Sequence, residues 1–200
     1  MNLPNKLTVA RIGMTAFFVS ALLLAKFPYG KTLALAIFIV ASLTDWLDGW
    51  LARRSGQETT FGALLDPLAD KVLVAAAFIC FIEQHDFHGH PLVKSWMVLL
   101  IVSREFLVTG LRLVAREQGA VLKAERLGKH KTISQMVTII VVLIGLAIRD
   151  DWHSLGMDAS RYDAVFSQTV FVLMLLTILL TVWSGAAYLV KNRRLFLEHA

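Results

Sequence analysis

Only one cysteine, Cys80, occurs in this sequence, so no disulfide can form within the chain. It lies in an apolar run, where cysteine behaves as a small buried hydrophobe, and redox chemistry finds no support. Charge is scarce as well. Charged residues make up 18% of the 200 positions against 56% hydrophobic, and a mean hydropathy of +0.63 is too high for an ordinary soluble domain of this length. A Gly/Ser-rich or Pro-rich linker long enough to divide two domains is missing, as is a convincing internal repeat. What is left is an all-α integral membrane protein whose residues 1–200 form a single domain.

Runs of about 20 apolar residues, long enough to cross roughly 30 Å of hydrocarbon, occur six times. They extend from Leu7 to Ala25, Thr32 to Ala52, Leu64 to Glu83, Leu92 to Val114, Thr132 to Ile148 and Val165 to Val190. The first could pass for a secretion signal, but no small-residue cleavage site follows it, and Lys26 and Lys31 flank a Phe-Pro-Tyr-Gly turn instead. It reads as a retained span. Met1 to Lys6 reads as a short interfacial segment bent at Pro4.

Lysine and arginine are unevenly distributed around these spans. Lys6, Arg11, Arg53, Arg54, Arg116, Lys123, Arg126, Lys129, Lys131, Lys191, Arg193 and Arg194 fall on one side. Lys26, Lys31, Lys94, Arg149 and Arg161 fall on the other. Positive loops stay in the cytoplasm, so both termini are expected there, with a polar cavity open to that face. The net charge of +5 suits anionic lipid, with no call for nucleic acid.

Four aspartates interrupt the second and third spans: Asp45, Asp48, Asp66 and Asp70. A carboxylate at membrane depth costs several kcal/mol unless compensated, and clustered acidic oxygens most naturally share divalent cations. Spacings of three and four residues put each pair on one helix face, and the loop Arg53 to Phe61 allows an antiparallel return that brings the pairs together. Gly49, Ala52 and Gly62 line those faces with small side chains, leaving room for a ligand or for a close helix crossing.

The string Asp45-Trp-Leu-Asp48-Gly49-Trp-Leu-Ala52-Arg53, followed after eight residues by Gly62-Ala-Leu-Leu-Asp66-Pro-Leu-Ala-Asp70, resembles the signature of the CDP-alcohol phosphatidyltransferase family without a gap. That family's fold agrees with six transmembrane helices. The resemblance implies that Asp45, Asp48 and Asp66 ligate two magnesium or manganese ions. Asp70 is then the general base with a metal contact of its own, and Gly49, Ala52, Arg53 and Gly62 shape the site for the CDP-linked lipid. It also implies a homodimer in a bacterial-type inner membrane.

Basic residues of the second half bear on the acceptor alcohol. Ser103-Arg104-Glu105 and Gly110-Leu-Arg112 occupy the fourth span, and Gly128-Lys129-His-Lys131-Thr132-Ile-Ser-Gln135-Met136 introduces the fifth. With the opening Leu3-Pro4-Asn5-Lys-Leu7-Thr8-Val-Ala-Arg11, they resemble the branch that uses glycerol 3-phosphate and makes phosphatidylglycerophosphate, the precursor of phosphatidylglycerol and cardiolipin. A phosphate-bearing acceptor needs cationic groups, so Arg104, Arg112, Lys129 and Lys131 form the candidate acceptor pocket. Asn5, Thr8, Arg11 and Gln135 are secondary candidates; Asn5 or Thr8 serves equally as a helix cap, and Arg11 as a lipid anchor. Lys129 or Arg116 alone is an ordinary snorkelling anchor, whereas Arg104 lies deeper than an anchor needs to. Glu105 either orients Arg104 or neutralises it.

His85, His88 and His90 beside Asp86 lack a scaffold for zinc, and the tryptophans lie mostly near span boundaries, where indole belongs whatever the function. Arg149 to Asp163 reads as a polar connector. Two alternatives remain. One is a transferase of the same family acting on another alcohol, such as phosphatidylglycerol in a cardiolipin synthase. The other is a cation transporter, disfavoured because the spans become apolar beyond the acids.

Overall fold

The computed structural model describes residues 3–24, 29–55, 60–117, 126–151 and 158–192, with side chains described over 10–24, 29–44, 71–115, 128–151 and 158–192. Among the described residues six α-helices form: α1 Leu3–Leu23, α2 Gly30–Ser55, α3 Thr60–Ile82, α4 Ser95–Glu117, α5 Arg126–Leu146 and α6 Ala159–Lys191. α5 runs on through a π-helical turn, Ala147–Asp151. Among the described residues the extended backbone is confined to one isolated bridge, His85 with Pro91. Each apolar run corresponds to one helix. The helices also take in the polar residues beside those runs, because main-chain hydrogen bonding continues wherever the sequence lacks a breaker.

The expected interfacial segment at the start is different. From Leu3 onward it is the first turn of α1, and Pro4 lies within that turn, where a missing N–H leaves no intrahelical bond unmade. Asn5 and Thr8 therefore lie inside the helix rather than at its N-cap position.

Among the residues with described side chains, Gly128–Asp151 and Ala159–Lys191 qualify as membrane spans by length and hydropathy alone, and the described parts of α1, α2 and α3 are the apolar stretches Ala10–Leu23, Gly30–Thr44 and Lys71–Ile82. α4 falls short because Arg104, Glu105 and Arg112 interrupt it. Large apolar side chains line the perimeter; Leu179 and Trp183 are 65% and 70% exposed. A surface of that kind fits lipid rather than water, as in a membrane protein.

Inside, Phe18, Phe38, Phe78, Phe81, Leu143 and Met174 are among the side chains of one continuous core, and Cys80 is a free, buried member of it. α1 packs between α2 and α3, α5 pairs with α6, and α4 bridges α3 and α6. The α5–α6 seam closes tightly at Gly145. A Cβ there would lie 2.0 Å from the Phe166 ring, which stacks on Tyr162 at 5.9 Å, and the Tyr162 hydroxyl donates to the Gly145 carbonyl at 3.0 Å.

Polar ties fasten one end of the bundle. Lys31 donates to the Leu22 carbonyl at 2.6 Å and to Gln84 at 2.8 Å, and Thr32 donates twice to Asp151. Arg149 reaches the His85 carbonyl at 2.8 Å and Asp163 at 3.3 Å. Asp163 also accepts from the Phe87 N–H. Arg149 and Asp163, expected in a polar connector, are instead buried clamps. A charge near the membrane must find a partner, and these two find each other across the start of α6. The ties gather the starts of α2 and α6 and the ends of α1, α3 and α5, so the helices alternate in direction.

Candidate active site

Asp45 and Asp48 lie on α2, and Asp66 and Asp70 on α3; both helices are regular through these positions. Spacings of three and four residues place the two positions of each pair on one face of their helix. The side chains of these four, and of Asn5, Thr8, Ala52 and Arg53, lie outside the described residues, as do those faces at Gly49 and Gly62 and the loop 56–59. Among the described residues, α2 and α3 each pack on α1 and α5 rather than along a broad seam of their own. α1 and α5 thus set the spacing between the acid-bearing helices.

Among the described residues no group of three or more His, Cys, Asp or Glu gathers as a metal site. In the loop between α3 and α4 Asp86 accepts from the N–H groups of His88 and His90 at 2.9 and 2.7 Å. Those bonds outweigh its desolvation and hold its carboxyl below the usual range.

At the opposite end from the polar ties, α3, α4 and α5 converge on a buried carboxylate. Glu105, 6% exposed, accepts from Lys71 at 2.9 Å, from Lys131, from Gln135 at 3.3 Å and from Arg104 at 3.3 Å. Lys131 and Gln135 are one turn apart on α5 and present the same face to α4. Lys71 comes from α3, immediately after Asp70. Around this cluster is a cavity of about 230 Å³, polar at Lys71, Glu105, Lys131, Thr132 and Gln135 and apolar at Val74, Phe78, Ile101 and Met136.

Arg104 is held from the other side by α6. Its Nη2 donates to Ser184 at 2.7 Å, and Gly185 makes room for its stem, since a Cβ there would lie 3.0 Å from Arg104 Cγ. Arg104 Nε is buried with no hydrogen-bond partner. Arg112, two turns further along α4, is exposed and its guanidinium lies 5.2 Å from the centre of the Tyr188 ring.

The expected acceptor pocket therefore divides. Arg104, Lys131 and Gln135 meet at Glu105, whereas Arg112 rests on α6 and Lys129 is exposed on the first turns of α5. Arg11 is buried at 8% exposure, which does not suit a lipid anchor. Lys71 was absent from the sequence-based set, and Glu105 was tied to Arg104 alone. Both carried a legible signal: each is an ionisable residue within a largely apolar helix, and such residues seek partners of opposite charge.

A family model described as CDP-alcohol phosphatidyltransferase matches residues 1–183. A CDP-diacylglycerol--glycerol-3-phosphate 3-phosphatidyltransferase of Bacillus subtilis is 39% identical over 203 aligned residues, covering 96% of this chain and 95% of the relative. Enzymes of the same name from Sodalis glossinidius and Haemophilus influenzae are each 35% identical, covering 100% and 94% of this chain and 99% and 91% of their own lengths. No solved structure matches. With the aspartate signature carried on α2 and α3 and the family model spanning nearly the whole chain, this protein belongs to the CDP-alcohol phosphatidyltransferase family.

Proposed function

We propose that this protein transfers the phosphatidyl group of CDP-diacylglycerol to glycerol 3-phosphate, releasing CMP and forming phosphatidylglycerophosphate for phosphatidylglycerol and cardiolipin synthesis. The reaction class follows from the family, and the names of the relatives support the acceptor. The observation that carries the acceptor within this chain is the charge balance at Glu105, where three cations, Lys71, Lys131 and Arg104, meet one carboxylate. The surplus of two positive charges suits a phosphate monoester, which carries about −1.5 to −2 at neutral pH. It suits less well the single negative charge of a phosphodiester such as phosphatidylglycerol, or an uncharged alcohol.

Members of this family use divalent metal ions. Four carboxylates on two regular helices are a hard oxygen donor set that fits magnesium or manganese, and Asp45, Asp48, Asp66 and Asp70 would hold two such ions. When bound, the ions supply charge neutralisation on the diphosphate of the CDP-lipid. Gly49, Ala52, Arg53 and Gly62 form the lipid-nucleotide subsite. Arg104 and Lys131, with Lys71, bind the acceptor phosphate, and Arg112 and Lys129 add positive charge outside the cluster.

Asp70 then takes the proton of the attacking hydroxyl as its oxygen bonds to the phosphatidyl phosphorus, and the bond from that phosphorus to CMP breaks, CMP leaving with the electron pair. Lys71 follows Asp70 on α3, and this adjacency supports an acceptor site close to the base. The positive-residue bias puts this end of a six-span, multi-pass bundle and both termini in the cytoplasm of a bacterial inner membrane, where glycerol 3-phosphate is available. Residues 1–200 act as one membrane domain, within a homodimer.

Purified protein in liposomes, given labelled CDP-diacylglycerol and a panel of alcohols, tests this reading. CMP release is expected with glycerol 3-phosphate, lost with a chelator and restored by magnesium or manganese. Turnover with inositol, serine or phosphatidylglycerol but none with glycerol 3-phosphate overturns the acceptor assignment.

A further inference from the structure

Among the described side chains Glu105 is the one carboxylate away from the tied end of the bundle, and its surroundings are unusual for a residue that merely balances charge. Its two oxygens divide the work between helices. Oε2 takes Lys71 from α3, while Oε1 takes Lys131 and Gln135 from α5 and Arg104 from its own helix. Ammonium groups on four-carbon stems have many rotamers, and an unrestrained lysine at a phosphate site would give up that freedom on binding. Here the restraint is already present before any ligand arrives.

We propose that Glu105 is a positioning residue for the acceptor, holding the Lys131 and Lys71 ammonium groups in the lining of the cavity between α3, α4 and α5 in the arrangement that receives its phosphate. The inference rests on the function proposed above and goes beyond it, because a negative group is assigned to the binding of a negative substrate. The two effects of the carboxylate oppose each other. As a nearby negative charge it repels the phosphate, and as a tether it pre-organises the cations that bind it. The geometry favours the second, since each oxygen is already occupied by hydrogen bonds and presents screened charge to the cavity. Glu105 also connects α3, at the residue following Asp70, to α5. The tether thereby fixes the cations of α3 and α5 relative to each other, and misplacement of about 1 Å at a reacting centre costs on the order of a hundredfold in rate.

The test is steady-state CMP release by the full-length protein in liposomes, with glycerol 3-phosphate and CDP-diacylglycerol varied separately for wild type, E105Q and E105D. Gln keeps the size and one acceptor oxygen but loses the charge. The KM for glycerol 3-phosphate is expected to rise about tenfold or more in E105Q, with the KM for CDP-diacylglycerol nearly unchanged and part of the loss recovered in E105D. A fall in the glycerol 3-phosphate KM of E105Q would show Glu105 to be a mere counter-charge and would overturn the proposal. An equal effect on both substrates, with no recovery in E105D, would overturn it in favour of a structural role. Should E105Q fail to fold, Lys71→Met carries the test, because it removes one arm of the tether from the half-exposed side; an unchanged acceptor KM there also overturns the proposal. Absence of glycerol 3-phosphate turnover in the wild type is a separate result, which sinks the proposed function itself.

Discussion

At the scale of single residues, a charged group inside this bundle is explained by its partner. Arg104 is half-buried because Ser184 and Glu105 receive its guanidinium and Gly185 yields space to its stem. The bare positive charge of Lys131 at that depth would be costly, and its ion pair with Glu105 makes it tolerable. The role proposed for Asp70 is checked at the same scale. Asp70→Asn is expected to lower CMP release by at least about a hundredfold, the size of effect typical of a general base. CDP-diacylglycerol binding should largely persist, because the other three acids remain. Turnover and equilibrium binding of a labelled CDP-lipid measure the two properties separately, and a wild-type rate would remove Asp70 from the chemistry.

At the scale of elements, seams and caps decide how well the helices hold. Gly145 allows α5 to approach the Phe166 ring of α6, and that ring cannot yield readily because Tyr162 stacks on it and bonds back to Gly145. Gly145→Ala is therefore expected to destabilise the bundle by about 1–3 kcal/mol, the usual penalty of overpacking, seen as a lower unfolding temperature in detergent with the catalytic residues untouched. The start of α6 depends on Asp158, whose side chain accepts from Ser160 and Arg161; chiefly the Ser160 hydroxyl holds its carboxyl below the usual range. A carboxyl depressed in the folded state stabilises above its unfolded pKa, and that contribution is lost as the pH falls through the folded value. Thermal stability should decline below about pH 4, and Asp158→Ala should show a shallower decline; identical acid profiles would remove the cap from the account.

At the scale of the whole molecule, two ends differ in kind. One is fastened by Lys31, Thr32, Arg149 and Asp163 with their partners, and the other is kept open around Glu105 with a cavity between three helices. Rigidity at one end and space at the other suit an enzyme whose lipid substrate enters from the membrane and whose acceptor enters from water. The orientation is tested by placing the lone reactive thiol in the outer loop. His88→Cys in a Cys80→Ala background should react with a membrane-impermeant maleimide in intact cells, and protection there with labelling only in inverted vesicles would reverse the topology.

Much of this protein was legible in order along the chain. Six apolar runs specify six helices because main-chain hydrogen bonds inside hydrocarbon leave few other choices, and the aspartate spacing specifies two acid-bearing faces because a helix repeats every 3.6 residues. Both are local rules, and sequence alone sufficed for them. It did not disclose that Arg149 and Asp163 are clamps, or that Arg112 rests on Tyr188 while Arg104 turns toward Ser184. Nor could it say which cations share Glu105, since Lys71 and Lys131 lie 34 and 26 positions away on other helices. Periodicity states which face a side chain is on, and only the packing of one helix against another decides what that face meets.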